Sequence, residues 1–123
     1  MMKRTTIFLL LVFLALGLSA QKKVLLEDKD QIIERAKLEL DSAMMAPEGY
    51  IYLQTVKNPI KGEYTFDISI WEKGTVTSLF AVGNNNGTLD AQNRLRAILM
   101  EFKFNFKMPK GKSYKFRHTF IFN

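Results

Sequence analysis

The sequence predicts an α+β fold: a small antiparallel sheet of about three to four strands with two helices on one face. Three observations predict it. Apolar and polar residues alternate strictly over residues 63–70 and 104–108, and aromatic residues or His recur at every second position over 114–122, the period of half-buried strands. Two other segments, 32–44 and 91–102, place their apolar residues at helical spacing. No long linker, repeat or low-complexity run separates these segments, so residues 21–123 read as a single domain, with an N-terminal helix and connector at 21–59 and a core at 60–123.

Ahead of that domain, Lys3 and Arg4 precede an apolar run from Ile7 to Leu18 that ends in Ser19, Ala20 and Gln21. This charged, apolar, small-residue order is that of a secretory signal peptide over 1–20, with cleavage expected after Ala20. The competing reading is a retained anchor, but a membrane-spanning helix needs about 20 apolar residues. The expected location is therefore the periplasm or the exterior. The chain has no cysteine, so the core rests on apolar burial without disulfides; of its ten Phe, Phe8 and Phe13 lie in the expected signal peptide, and the others, with four Tyr and one Trp, supply the bulk.

The first helix is expected where Ile33, Ala36, Leu40 and Met44 form a stripe flanked by Ile32 and Ala43, capped by Asp28 or Asp30 and ended by Pro47. Residues 50–56 have β-type composition but weak alternation, and Asn58-Pro59 follows, which predicts a short edge strand or an extended connector. Tyr64, Phe66, Ile68 and Ile70 then alternate with Glu63, Thr65, Asp67 and Ser69. A three-residue turn Glu72-Lys73-Gly74, with Gly74 left-handed, pairs Ile70 with Val76, Phe66 with Phe80 and Tyr64 with Val82. A two-residue loop matches faces less well. Asn84 to Gly87 reads as a loop, and Thr88 or Asp90 caps a second helix whose inner face is Ala91, Leu95, Ile98, Leu99 and Phe102. Phe104, Phe106 and Met108, then Tyr114, Phe116, His118, Phe120 and Phe122 after the turn Pro109-Lys110-Gly111-Lys112, complete the strands.

Charge is unevenly spread. Residues 21–93 carry eight Lys/Arg against eleven Asp/Glu, whereas residues 94–123 carry eight Lys/Arg against Glu101 alone. A basic end of this kind steers anionic polymers, lipids or acidic protein patches; lysines on a strand face also discourage edge-to-edge aggregation.

The chain offers no recognisable catalytic apparatus. One His and no Cys argue against a zinc centre, and no loop repeats the spaced acidic pattern of calcium sites. No glycine-rich loop carries the Lys and hydroxyl that cradle phosphates. His118 would have to serve any Ser-His or Cys-His set, and its place on the aromatic side of the last strand reads as structural. Glu63 and Asp67 share the polar face of one strand, where contact with solvent is a sufficient reason for them. The reading is non-enzymatic, with no cofactor. Trp71, at the hairpin tip, is either a packing residue or an exposed aromatic anchor for a partner.

The segments KGEYTFDISIWEKGTVTSLFAV and GTLDAQNRLRAILMEFKFNF, in that order, resemble the C-terminal domain of TonB and TonB-like periplasmic proteins over about residues 60–123. The likeness rests on the alternating strand, Gly74 followed by Thr75-Val76-Thr77, the Leu89-Asp90 opening of a helix with Leu95 and Ile98, the exit Phe102 and Phe104, and a final strand after Gly111. The resemblance implies a two-stranded hairpin plus a third strand with helices on one face, and a role in protein contact, including strand addition by a short segment of a partner. The sequence lacks that family's Pro-rich spacer and Tyr-Pro motif, and has Phe106-Lys107 where Pro-Ala is common, so inner-membrane energy transduction is not implied. The expected function is protein interaction by strand addition in the cell envelope, with an envelope protein or peptide segment, or a second copy of the chain, as partner. The residues expected to carry it are Trp71, Lys110, Lys112, Lys115 and Arg117. The competing class is a basic-surface binder of anionic polysaccharide or lipid using Lys103, Lys107, Lys110, Lys112, Lys115 and Arg117; nucleic acid is not expected as a partner of an exported chain.

Overall fold

The computed structural model describes residues 23–123; the expected signal peptide lies outside them. The order of elements is β1 (Val24–Leu25), α1 (Lys29–Ala43), α2 (Tyr50–Lys57), β2 (Gly62–Trp71), β3 (Thr75–Asn85), α3 (Leu89–Met100), β4 (Phe106–Lys107) and β5 (Ser113–Phe122). The fold is α+β, with an antiparallel sheet in the order β3-β2-β5 and a separate short parallel pair, β1 with β4.

α1 forms where the stripe predicts. Asp28 is its cap, accepting the Gln31 N–H at 3.2 Å, which satisfies one of the helix's orphan donors. The buried face is Ile32, Ala36, Leu40 and Ala43, with Ile33 and Met44 only half-buried, so the stripe is rotated by one residue from the expected one. α3 is capped by Thr88, whose Oγ1 accepts the Ala91 N–H at 3.1 Å, and it buries Ala91, Leu95 and Leu99. α1 packs against β5 and α3 against β3, while α2 touches both helices.

Two expectations are corrected. Residues 50–56 are neither an edge strand nor a connector but part of α2, so the domain has three helices rather than two. The helix is set by position rather than by composition: Ile51 and Thr55, four residues apart, are both buried, and the Thr55 hydroxyl donates to the Ile51 carbonyl at 2.9 Å. Tyr50 meets Phe102 at a tilted angle, with ring centroids 5.8 Å apart. Burial between two other helices outweighs the weak β preference of the segment.

The hairpin register is the second. The turn is Glu72-Lys73-Gly74 with Gly74 at φ +77° and its N–H donating to the Trp71 carbonyl at 2.7 Å, and Ile70 does pair with Val76. Beyond that, Thr77 and then Val82 are skipped in the pairing, so Phe66 faces Ala81 rather than Phe80, and Tyr64 faces Asn84 rather than Val82. Each extra residue in β3 is a bulge that bends the strand and reverses the side its neighbours take. Leu79 consequently points into the core and Phe80 out of it, 72% exposed.

The core lies between the inner face of the sheet and the helices. Tyr64, Phe66, Ile68 and Ile70 from β2 are fully buried, as are Phe104, Phe106 and Phe120. Phe102, Phe104 and Phe106 form a run of ring contacts at 4.8 and 5.5 Å, and Phe66 meets Phe120 edge to face at 6.3 Å, the arrangement ring quadrupoles favour.

Candidate protein-contact surface

With every helix on one side, the other side of the sheet is left mainly to polar residues. On β2 these are Glu63, Thr65, Asp67 and Ser69, and the unbroken antiparallel register with β5 sets Ile121, Thr119, Arg117 and Lys115 opposite them. Arg117 donates to both Asp67 oxygens, through Nε at 2.9 Å and a terminal nitrogen at 3.3 Å. The hydrogen bond from Arg117 holds the Asp67 carboxyl below its ordinary range and outweighs some desolvation; Asp67 in turn raises the Arg117 guanidinium. Thr65 and Thr119 share a hydroxyl hydrogen bond at 2.8 Å. The third residue in the Asp67 row is Phe80, which makes it the most exposed aromatic of this face.

The two margins of the sheet differ. β3 carries both bulges, and its start is covered: Thr75 bridges to Lys103, and Phe104 N–H donates to the Gly74 carbonyl at 2.8 Å. β5 pairs with β2 through ten consecutive residues without a shift, and among the described residues no strand pairs with its other side. A long straight edge of this kind presents a row of backbone donors and acceptors that another chain can complete.

The residues expected to contact a partner fall into two groups. Lys115 and Arg117 stand on the outward face of β5, and Trp71, 45% exposed, ends β2 in register with Ser113, two residues from Lys115. Arg117 is already engaged by Asp67, whereas Lys115 has no carboxylate within 4 Å among the described residues. Lys110 and Lys112 belong to the turn before β5, closed by Lys112 N–H donating to the Pro109 carbonyl at 3.1 Å; they lie beyond the end of the strand. The wider basic set is likewise divided, with Lys107 and Lys110 lining a cleft at the end of the sheet and Lys103 bridging to β3. Sequence reasoning missed Phe80, because nothing in the composition of Thr77-Ser78 marks a bulge.

His118 lies on the inner face of β5. Its Nε2 is 3.1 Å from Asp41 Oδ1 and its ring meets Phe120 edge to face at 4.9 Å. Burial lowers its pKa below 6.5 and outweighs the opposing charge and hydrogen bond of Asp41; Lys37 adds to the lowering. Among the described residues no three His, Asp or Glu side chains gather as metal ligands, and no helix is long and apolar enough to cross a membrane. Comparison with protein-family models, with curated proteins and with solved structures gives no match to this chain.

Proposed function

We propose that this chain is an exported, non-enzymatic protein-interaction module that takes up an extended segment of an envelope protein along the outer side of β5. The observation that carries the reading is the ten-residue, shift-free β5 with a strand on one side only. Strand addition draws affinity from main-chain hydrogen bonds and specificity from alternate side chains. Here those would be Lys115 and Arg117 outward on β5, with Trp71 at the end of β2 as an apolar contact on the same face. The bulged, partly bridged β3 supports β5 as the receiving strand, since bulges discourage pairing at an edge. The resemblance to TonB C-terminal domains supports the same mode of contact.

The test is capture from envelope extract on the purified protein at low and high salt, followed by amide exchange of the complex. The expected outcome is a protein retained at high salt, with new protection confined to Ser113–Phe122. Protection on β3 instead, or capture of only anionic lipid or polysaccharide that is lost at high salt, would sink the reading, because charge-driven contacts between exposed groups are screened and backbone pairing is not.

A further inference from the structure

At the end of the sheet a cleft of about 460 Å³ is lined by Lys23, Glu72, Lys73, Lys107, Met108 and Lys110. Four lysines thus line the cleft with a single acid, although they come from three separate stretches of the chain. The frame that brings them together is made of backbone hydrogen bonds. Met108 N–H donates to the Glu72 carbonyl at 2.8 Å, Leu26 N–H to the Lys107 carbonyl at 2.9 Å, and the Lys23 ammonium to the Lys73 carbonyl at 3.0 Å. Glu72, the one acid, already accepts the Gly111 N–H through Oε2 at 2.8 Å. None of the four lysines has a carboxylate within 4 Å among the described residues.

We propose that this cleft is a binding site for a compact anion bearing a multiply charged phosphoryl group, separate from the β5 edge and independent of the strand-addition reading. Like charges held on a fixed frame repel one another, and an anion between them converts that repulsion into attraction. The volume falls within the ~300–1,000 Å³ of small-molecule sites. The donors suit the ligand: lysine ammoniums act as point charges able to bind phosphate from several directions, and no arginine lines the cleft. Met108 provides an apolar floor against which the carbon part of a phosphoryl compound can lie.

The test is titration of the ¹⁵N-labelled protein with inorganic pyrophosphate. Saturable amide shifts centred on Lys73, Gly74, Met108, Lys110 and Gly111, weakening as salt rises, are expected. The double variant K73Q/K110Q keeps most of each stem, and its spectrum away from the cleft reports that it is folded. It should bind about thirtyfold more weakly, each of the two lost charges contributing roughly 1 kcal/mol near a wet surface, while K115Q/R117Q binds as the parent does. A second arm uses phosphatidylcholine vesicles containing phosphatidate. Sedimentation with them that pyrophosphate reverses and K73Q/K110Q abolishes assigns the site to a lipid headgroup; pyrophosphate binding without sedimentation assigns it to a soluble phosphoryl compound. Absence of saturable shifts, or equal losses in both double variants, would overturn the proposal.

Discussion

Glu39 in α1 accepts the backbone N–H of Asn105 through Oε1 at 2.6 Å, across 66 residues of sequence, while its Oε2 accepts Arg35 Nε at 2.7 Å. The carboxylate ties the first helix to the chain leaving α3, and with its side chain only 16% exposed it is partly sheltered from water. Replacing it strands a backbone donor. Glu39→Ala is expected to cost about 1.5–3 kcal/mol, the range for a hydrogen bond to a charged group, measured by urea unfolding; Arg35→Ala should cost less, because Arg35 is the more exposed partner.

Gly74 stands where only glycine fits. A Cβ there would lie 2.6 Å from the Phe106 carbonyl oxygen and 2.8 Å from that of Phe104, and φ is +77°. Gly74→Ala therefore meets both a left-handed backbone penalty of about 1–2 kcal/mol and a collision with backbone that cannot rotate away. A loss of at least about 2 kcal/mol is expected, with amide exchange quickening in the hairpin tip and around Phe104 before it does in α1.

Leu79 and Phe80 are adjacent and opposite in fate, 5% and 72% exposed. Leu79→Ala should destabilise the domain by about 2–4 kcal/mol, whereas Phe80→Thr should change stability by less than about 0.5 kcal/mol. The register read from the turn alone, which sets Phe80 against Phe66, demands the reverse, so denaturant midpoints of these two variants discriminate directly between the two pairings.

His118 makes stability depend on pH. Its folded pKa lies below its ordinary value near 6.5, so protonation favours the unfolded chain. The contribution is intact above pH 6.5 and is lost as pH falls through the folded pKa, with a slope of up to about 1.4 kcal/mol per pH unit between the two values. Unfolding free energies measured from pH 7.5 to 5 should show this slope in the parent and not in His118→Gln. Asp41→Asn removes the charge that opposes the shift, and the NMR titration midpoint of His118 should move lower still.

How far the sequence carries depends on the kind of signal. β2 is legible because Tyr64, Phe66, Ile68 and Ile70 are buried in strict alternation, and α1 and α3 are legible because each keeps one apolar face and a capping side chain. α2 is not, since its Tyr, Ile and Val content favours a strand and only its seat between two helices decides otherwise. The bulges at Thr77 and Val82 are features of pairing geometry with no compositional mark. Of the residues proposed for contact, the facing of Lys115 and Arg117 follows from alternation in β5. The meeting of Lys23 with Lys73 does not, because only the β1–β4 pair brings the N-terminal end of the domain beside the hairpin tip.

The difference between the two margins of the sheet bears on stoichiometry. A chain that could pair at both sides would be bivalent, and head-to-tail contacts that fail to close grow into filaments. If segments add as proposed, the bulged β3 and the straight β5 make this domain monovalent for strand pairing. One incoming segment satisfies it, and a second copy meeting it β5 to β5 would use up both open margins at once, so growth stops at two chains.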